Sequence, residues 1–477
     1  MKNTFKYKAW LIVLFVVTVI TSCKEDFLEL NPPTSLVPEK ALGLEADVQV
    51  ALRGAYAGLR TGIAGSTADF FGRTVPVLGD VMADNAYQHS TNTNRYTLFN
   101  YYTFNVTDPN VLGLWSSAYA AILRANNIIN STAATSVNVN QYKGEAYAIR
   151  ALCYFTLVRY FSKPYTDDPN ALGVPLITTY DPELKPGRST VAETYALIND
   201  DLTQAFTLMT LYTNSSQFSK YAARGLQAKV YLTMGDNVKA KAAALEVINN
   251  GGFTPLTTAN HAAYWANGAL RTDKLETLFE VSSDNVANLA FDALSYLYSQ
   301  AGNYGDFLIS NDLYSSFAAA DVRLALYPKV IRPKPSGPLV NSVNKFPVIT
   351  GDYSDTKVLR LSEIYLIAAE ASLPGSEADA LTYVNFVTSR RGTPAIASTG
   401  AQLFEDIITE RRKELAFEGD RYLDLQRLKR DVTRNATNYP ASALSIPYSN
   451  FRRILPIPQV ETDANPTIKA QQNPLYQ

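Results

Sequence analysis

Two long amphipathic segments constrain the fold of this chain more than any other feature. Apolar residues recur at steps of three and four from Val111 to Ser131, and Tyr142 to Phe161 has the same pattern. A short polar link joins the two segments, which predicts an antiparallel pair of helices. With 47% hydrophobic residues, the chain of 477 residues can bury a large core, and wholesale disorder is excluded.

Helical patterns continue on both sides of this pair. They predict further helices over residues 39–61, 219–235, 239–250, 358–373, 376–390 and 403–429. Ser189 is predicted to cap one more helix, with Glu193 four residues on, one residue off the ideal capping-box spacing. Residues 62–110 and 162–188 are rich in turn-forming residues, so we predict loops there.

One helical pattern occurs twice. The first copy, Ala228 to Leu232, and the second, Ser362 to Leu366, are each followed by a glycine and then by two alanines. Alanine at close-packing positions and a tyrosine one turn before the bend resemble a tetratricopeptide hairpin. The copies are degenerate and far apart, but helix pairs that stack side by side can still bury one continuous core.

The region between the two copies has a different character. Residues 253–356 are dense in proline and glycine, and strands are predicted at 277–282 and 345–348. Irregular regions of this length in a compact protein usually carry function. The fold prediction is therefore mainly α, a degenerate tetratricopeptide-like scaffold of helical hairpins with a large irregular insert of loops and short strands.

The N-terminal sequence is typical of a targeting segment. Three lysines precede an apolar run from Ala9 to Ile20, which is shorter than the roughly 20 residues of a membrane span. Small residues then precede Cys23, as in a bacterial lipobox, although a secretory signal with a chance cysteine remains the alternative. We predict a lipoprotein signal peptide over residues 1–22 and a lipidated tether over 23–38. With Cys23 lipidated, Cys153 has no disulfide partner and is expected to be buried.

Composition excludes several classes of protein. A formal net charge of −1 gives no basic excess, so no nucleic-acid partner is expected. Two cysteines and two histidines cannot build a Cys/His zinc site or a redox pair, and the chain contains no nucleophile elbow, Walker A loop or HExxH motif. We therefore expect no catalytic residue, no metal site and no cofactor.

Aromatic residues in the irregular regions are the candidate ligand contacts. Stacking suits a pyranose face, because its C–H groups meet the electron-rich ring while its hydroxyls reach polar neighbours. Two clusters mix such rings with polar groups. The candidates are Tyr87, Arg95, Tyr96 and Tyr101 in the first cluster, and Trp265, Tyr296 and Tyr304 in the second. For any single ring, a place in the core is the competing interpretation, since large aromatic residues are mostly buried.

A run of acidic residues near the C-terminus needs a separate interpretation. Glu410, Glu414 and Glu418 recur at steps of four on one predicted helix face, with Arg411 and Arg421 nearby. Alternating charges of this kind usually form a structural ion-pair network, and a carboxylate that is paired with a cation makes a poor general acid. We predict a structural role for this block.

Several segments together resemble the SusD/RagB family of outer-membrane lipoproteins. The resemblance covers nearly the whole chain after the lipobox, and each block is specific mainly through its order in the chain. The matching blocks are Asp26 to Glu29, Trp115 to Asn126, Gly144 to Phe155, Leu172 to Leu176, Glu410 to Leu425, Leu455 to Pro458 and Gln472 to Tyr476. Lys24-Glu25-Asp26 after Cys23 is similar to the signal that sends such lipoproteins to the cell exterior.

The resemblance implies a non-catalytic lipoprotein of the outer membrane that closes a SusC-like, TonB-dependent barrel as a lid. It implies capture of glycans and their delivery to that barrel, and a membrane anchor at Cys23. A RagB-like lid for peptides, a lipid-anchored glycoside hydrolase and a purely structural repeat protein remain alternatives. The implied body spans 39–477, with a helical scaffold over about 39–252 and 357–430, the ligand-facing insert over about 253–356, and a tail over 431–477.

Overall fold

About half of the chain is helical, and the strands are few and short. The computed structural model describes residues 41–61, 70–302, 304–333, 336–351 and 353–476. The predicted signal peptide, Cys23 and the whole of the predicted tether lie outside the described residues. Among the described residues, no helix is long and apolar enough to cross a membrane.

The helices are numbered here in chain order. The first half of the chain contains α1 (Glu45–Arg60), α2 (Thr74–Val81), α3 (Thr97–Asn100), α4 (Pro109–Ile129), α5 (Val137–Phe161), α6 (Val191–Leu208), α7 (Lys220–Met234) and α8 (Asn237–Asn250). The second half contains α9 (His261–Ala266), α10 (Leu294–Tyr298), α11 (Asn311–Ser316), α12 (Leu361–Ser372), α13 (Glu377–Ser389), α14 (Gly400–Glu414), α15 (Arg421–Arg427), α16 (Gln459–Ala464) and α17 (Pro466–Lys469).

The described strands form four separate antiparallel pairs. They are β1 (Ala86–Gln88) with β3 (Phe307–Ile309), β2 (Thr277–Val281) with β6 (Thr356–Arg360), β4 (Lys329–Pro333) with β5 (Ser336–Asn341), and β7 (Val432–Thr433) with β8 (Ser445–Ile446). The first two pairs join segments that are far apart in sequence. The β2–β6 pair joins the beginning of the insert to its end, and the β1–β3 pair joins the middle of the insert to residues 86–88.

Seven helices form the scaffold as one array. The helices α4, α5, α6, α7, α8, α12 and α13 each pack against the next, so α8 contacts α12 although the insert separates them in sequence. Small residues allow this close approach, since Ala240, Ala244 and Ala368 are fully buried. The two copies of the hairpin pattern, α7–α8 and α12–α13, are therefore neighbours in space, as the predicted tetratricopeptide-like stacking requires.

The predicted helix boundaries are largely confirmed, with one informative shift. The N-cap of α6 is Thr190 rather than the predicted Ser189, and its side chain accepts from the backbone N–H of Glu193. Glu193 in turn accepts from the backbone N–H of Thr190, so the capping box is complete at the ideal spacing of three. Ser219 caps α7, and Gly235 ends it with a φ of +78°, as the pattern predicted.

Three local predictions were wrong. Residues 74–81 form α2 rather than a loop, because Val77, Leu78 and Val81 are fully buried and make the segment part of the core. Residues 345–348 do not form the predicted strand, and β6, which begins before the predicted helix over 358–373, pairs with β2 instead. The predicted helix over 403–429 is two helices, because the chain turns between Leu415 and Asp420.

The turn between α14 and α15 lies against α2. Gly419 has a φ of +91°, and a Cβ there would lie 2.7 Å from Cα of Pro76, so only glycine fits. The buried Asp80 accepts hydrogen bonds from the backbone N–H groups of Phe417 and Gly419, both at 3.0 Å. These contacts fix the turn that separates the two charged helices.

Candidate functional site

The pairing of β1 with β3 brings the two predicted aromatic clusters together. Tyr87 lies opposite Leu308 in this ladder, so the segment after residue 86 runs beside the segment that contains Tyr304. Asp306 reinforces the junction, because its Oδ1 accepts from the backbone N–H of Thr93 at 3.0 Å. Arg332 of β4 donates to the carbonyl oxygens of Thr91 and Gly305 and holds both segments. The clusters form one site.

A cation–ring stack lies at the centre of this site. The guanidinium carbon of Arg95 lies 3.7 Å from the ring centroid of Tyr304. Asp292 fixes the orientation of the guanidinium, since its Oδ1 lies 3.2 Å from Nη2 of Arg95. Neither Arg95 nor Tyr304 is fully buried, so the stack presents a planar polar edge beside an aromatic face.

Tyr96 supports the stack from below. Its side chain is 4% exposed, and its hydroxyl accepts a hydrogen bond from Nε of Arg73 at 2.9 Å. Nη1 of Arg73 lies 2.7 Å from Oδ1 of Asp292, the same oxygen that Arg95 contacts. The chain of contacts therefore runs from Tyr96 through Arg73 and Asp292 to Arg95. Tyr96 positions the site and does not present its ring to solvent.

Further rings extend the site beyond Tyr304. Tyr296 lies 6.5 Å from Tyr304 and 5.2 Å from Phe291, both in edge-on geometry, and 6.3 Å from Tyr353. Phe291 is 53% exposed, whereas Tyr296 is 7% exposed and packs beneath its neighbours. We call the set of Tyr87, Arg95, Phe291, Tyr296, Tyr304 and Tyr353 the aromatic surface.

Two of the candidate residues lie apart from the aromatic surface. Trp265 is 4% exposed in α9, where Nζ of Lys345 lies 4.4 Å and the guanidinium carbon of Arg360 5.2 Å from its ring. It therefore packs in the core, because the segment predicted as a loop is a helix that covers buried cations. Tyr101 is half-buried just after α3, and among the described residues no ring contact joins it to the aromatic surface.

Sequence reasoning missed Phe291, Asp292 and Arg73. Phe291 and Asp292 stand in the stretch Ala290 to Leu294, only a few residues before Tyr296, so their presence within the second cluster was a usable signal. Arg73 carries no local signal, because it reaches the site only through the tertiary contact with Tyr96 and Asp292.

The acidic block is a buried ion network, as predicted. We use this term for Glu276, Arg323, Lys345, Arg360, Arg391, Glu410, Glu414 and Glu418. Nη1 of Arg360 lies 2.8 Å from Glu276 and 2.9 Å from Glu414, and its Nη2 lies 2.7 Å from Glu418. Burial raises the pKa of Glu414, but the guanidinium groups of Arg391 and Arg360 outweigh burial and hold that pKa well below its ordinary value.

The chemistry available to the site is therefore binding and orientation. Each glutamate of the buried ion network is paired with at least one cation and is therefore unsuited to proton transfer. Asp292 contacts two guanidinium groups and is committed to holding them. Within the described part of the chain, no group of three or more His, Cys, Asp or Glu side chains is arranged to hold a metal ion.

The scaffold and the insert define a class of protein: a stack of tetratricopeptide-like hairpins with a long insert that contributes most of an aromatic surface. Residues 26–232 match a family model described as starch-binding, associating with outer membrane, and residues 337–476 match the model of the SusD family. The two models together span most of the chain. The chain belongs to the SusD/RagB family.

Individual relatives agree with this assignment over nearly the full length. The SusD-like protein P2 of Formosa agariphila is 28% identical over 482 residues, which cover 89% of this chain and 91% of that protein. The crystal structure of a SusD superfamily protein of Bacteroides thetaiotaomicron matches with a TM-score of 0.80 and 29% identity over 90% of this chain and all of that one. A SusD superfamily protein of Bacteroides vulgatus gives a TM-score of 0.82 and 28% identity over 91% of this chain and all of its own.

Proposed function

We propose that this protein binds glycans on the aromatic surface and delivers them to a SusC-like, TonB-dependent barrel in the outer membrane, without acting on them chemically. The observation that carries the proposal is the stack of Arg95 on Tyr304, held by Asp292 beside the exposed ring of Phe291. The family model that matches the first half of the chain, described as starch-binding, supports a glycan as the ligand.

The geometry of the aromatic surface suits a sugar chain. A pyranose ring can lie its C–H face on Phe291 or Tyr304, while its hydroxyls accept from the free edge of the Arg95 guanidinium. Tyr296 and Tyr353 lie behind these rings and hold them in place. The surface is open rather than enclosed, which favours an extended chain and modest affinity over a buried small molecule.

Position at the membrane is part of the proposal. Lipidation of Cys23 would leave the body on a tether at the surface of the outer membrane, where several acyl chains anchor stably and a single chain does not. Loss of palmitate labelling in Cys23→Ala, with the protein released from the membrane fraction, is the expected result. A Cys23→Ala protein that keeps its label and its membrane association would contradict the anchor.

Affinity electrophoresis tests ligand binding directly. The purified protein is run through gels that each contain one neutral polysaccharide, and the same mixtures are assayed for released reducing sugar. We expect retardation by at least one glycan without release, and loss of retardation in Phe291→Ala and Tyr304→Ala. Tyr180→Ala is the matched control, because Tyr180 is 59% exposed and lies away from the aromatic surface.

The other outcomes decide between the alternatives. Released sugar would show a glycoside hydrolase, which needs two carboxyl groups about 5 to 9 Å apart. Binding of peptides but of no glycan would identify a RagB-like lid. Retardation that persists in both ring variants would move the glycan site away from the aromatic surface.

A further inference from the structure

A cavity of about 290 Å³ lies beside the aromatic surface. It opens between α1 and β2, and the residues that line it include Arg53, Tyr56, Arg60, Gln217, Phe279 and Asp284. Gly72 connects the two places, because a Cβ on it would lie 2.4 Å both from the backbone oxygen of Arg60 and from the side chain of Leu289. Leu289 packs in one apolar cluster with Tyr296 and Tyr353. Arg60 of the cavity wall is thus linked through Gly72 and Leu289 to two rings of the aromatic surface.

Two arginines on one helix face line this cavity. Arg53 and Arg60 are seven residues apart in α1, which places them two turns apart on the same side. Among the described residues, neither has a carboxylate within ion-pair distance. Arg60 donates from Nη1 to the carbonyl oxygen of Ser282 at 2.8 Å, and its buried Nε has no hydrogen-bond partner in the described structure.

The acidic groups nearby do not neutralise this pair of cations. Glu280 is already matched, since it forms an ion pair with Lys357 and accepts from Ser215. Asp284 uses Oδ1 to accept from the backbone N–H groups of Val286 and Ala287. Burial lowers the pKa of Arg60, and the carboxylates of Asp284 and Asp355 compensate only in part. Among the residues that the structure describes, the Arg60 guanidinium therefore has no carboxylate within ion-pair distance.

We infer that this cavity receives an anionic group carried by a glycan, the carboxylate of a uronic acid or a sulfate ester, while adjoining sugars lie on the aromatic surface. The inference rests on the proposed glycan binding and names the charge of the ligand. The volume of the cavity lies near the lower end of the roughly 300–1,000 Å³ typical of ligand sites, so the cavity suits one sugar residue rather than a chain. Each planar guanidinium group carries paired N–H donors, and the oxygens of a carboxylate or a sulfate can accept two such hydrogen bonds at once.

The near-zero net charge of the chain does not oppose this inference. Net charge describes the whole surface, whereas recognition depends on charges within a few ångströms, since those beyond about 10 Å are largely screened at ordinary salt. Arg95 on the aromatic surface and the buried Arg73 beneath it share the single carboxylate of Asp292. The arginines at the cavity and at the aromatic surface make this part of the molecule locally richer in cations than the chain as a whole.

Three matched oligosaccharide probes test the inference by titration calorimetry. One is a neutral glucan fragment, one a hexuronate fragment of equal length, and one a sulfated glucan fragment. We expect the anionic probes to bind about tenfold more tightly than the neutral probe, as hydrogen bonds to charged groups allow. Arg60→Met and Arg53→Met should each remove most of that preference and leave affinity for the neutral probe unchanged. Asp284→Asn should increase the preference for the anionic probes, because it removes a carboxylate that lines the cavity and forms no ion pair with the described residues.

A control variant and the pattern of binding distinguish failure of this inference from failure of the proposed function. Lys239→Met makes the same charge change at a side chain that is 62% exposed on α8, and it should leave the preference intact. Equal affinity for neutral and anionic probes, or a preference that survives both arginine variants, would overturn the inference while glycan binding stands. Binding of none of the probes, with no polysaccharide retarding the protein either, would overturn the proposed function and this inference together. Retention of the hexuronate or of the sulfated probe alone would identify which anion the cavity takes.

Discussion

The buried ion network and the aromatic surface use the same residue type in opposite ways. In the network, Arg360 donates to three glutamates, Glu276, Glu414 and Glu418, and is fully buried. On the aromatic surface, Arg95 contacts one carboxylate, which it shares with Arg73, and lays its planar face on Tyr304. One guanidinium has no donor capacity left, and the other keeps part of its capacity for a ligand.

The difference teaches how to separate structure from function among charged residues. A charged group whose hydrogen bonds are all satisfied inside the protein stabilises or specifies the fold, because any change leaves its partners buried and unpaired. A charged group that is fixed in orientation but only partly satisfied is ready to bind. Changes in the network should therefore affect unfolding, whereas changes on the aromatic surface should affect ligand affinity.

The largest expected effect comes from breaking the network. Glu414→Gln removes the charge that Arg323, Arg360 and Arg391 share, and we expect a loss of about 3–5 kcal/mol in the free energy of unfolding. Urea denaturation followed by circular dichroism measures it. A loss below about 1 kcal/mol would mean that the ion pairs of Glu414 contribute no more than exposed ion pairs do. The network would then not differ from the aromatic surface in its effect on unfolding.

Glu145 is a buried carboxyl group outside the network, and its partners are neutral groups rather than cations. It therefore shows how a buried carboxyl behaves without a cation beside it. Glu145 is 3% exposed and accepts from the hydroxyl of Tyr56 and from Gln141, and burial raises its pKa to about 7. Since the folded pKa lies above the ordinary value, the wild-type protein loses stability as pH rises through 7. Glu145→Gln cannot ionise, so its stability relative to the wild type should increase between pH 5 and pH 8, by on the order of 3 kcal/mol. Urea titrations at both pH values test this, and a difference independent of pH would contradict it.

A matched pair of substitutions compares the two regions directly. Arg95→Lys keeps the charge but removes the planar face and the second donor, so glycan affinity should fall by several-fold, about 1 kcal/mol, with unfolding unchanged. Arg360→Lys should instead reduce the free energy of unfolding by at least about 2 kcal/mol, because two glutamates lose donors. Affinity electrophoresis and urea denaturation of both variants provide the comparison. Equal losses in the free energy of unfolding would mean that Arg95 and Arg360 contribute equally to the stability of the fold, which would contradict the comparison.

The smallest effect is expected at an exposed ion pair. Nζ of Lys241 lies 2.7 Å from Oδ2 of Asp379, whose side chain is 49% exposed, and the pair links α8 to α13. Asp379→Asn should change the free energy of unfolding by less than about 0.5 kcal/mol, since exposed ion pairs contribute little. The same urea titration measures it and serves as the baseline for Glu414→Gln. A loss comparable to that of Glu414→Gln would show that burial does not determine how much an ion pair contributes to the free energy of unfolding.

The scaffold was predictable because its signals are local. The period of the apolar residues located α4, α5 and the two hairpins, and the structural role of Glu414 followed from alternating charge at helical spacing. The helix α2 was missed because its eight residues are too few to show a period and are buried on every side. The strand β6 was merged with α12, since apolar residues continue across the boundary at Leu361.

The aromatic surface was only partly predictable. Sequence reasoning named Tyr87, Arg95, Tyr296 and Tyr304 as candidates, but it could not tell that the pairing of β1 with β3 would place both clusters at one site. Exposure is a tertiary property, which is why Trp265, in the same insert and equally aromatic, lies in the core. The candidate contacts remain predictions until ligand binding is measured.

The distance along the chain between the two halves of the aromatic surface sets an order of events during folding. Helices of the array contact their sequence neighbours, so they can form early, whereas Thr93 must meet Asp306, which is 213 positions away. During synthesis from the N-terminus, the pair α4–α5 can form long before the rings of the insert have been made. The aromatic surface is therefore among the last parts of the molecule that can form, and a chain truncated before residue 306 would contain most helices of the array but not the complete aromatic surface.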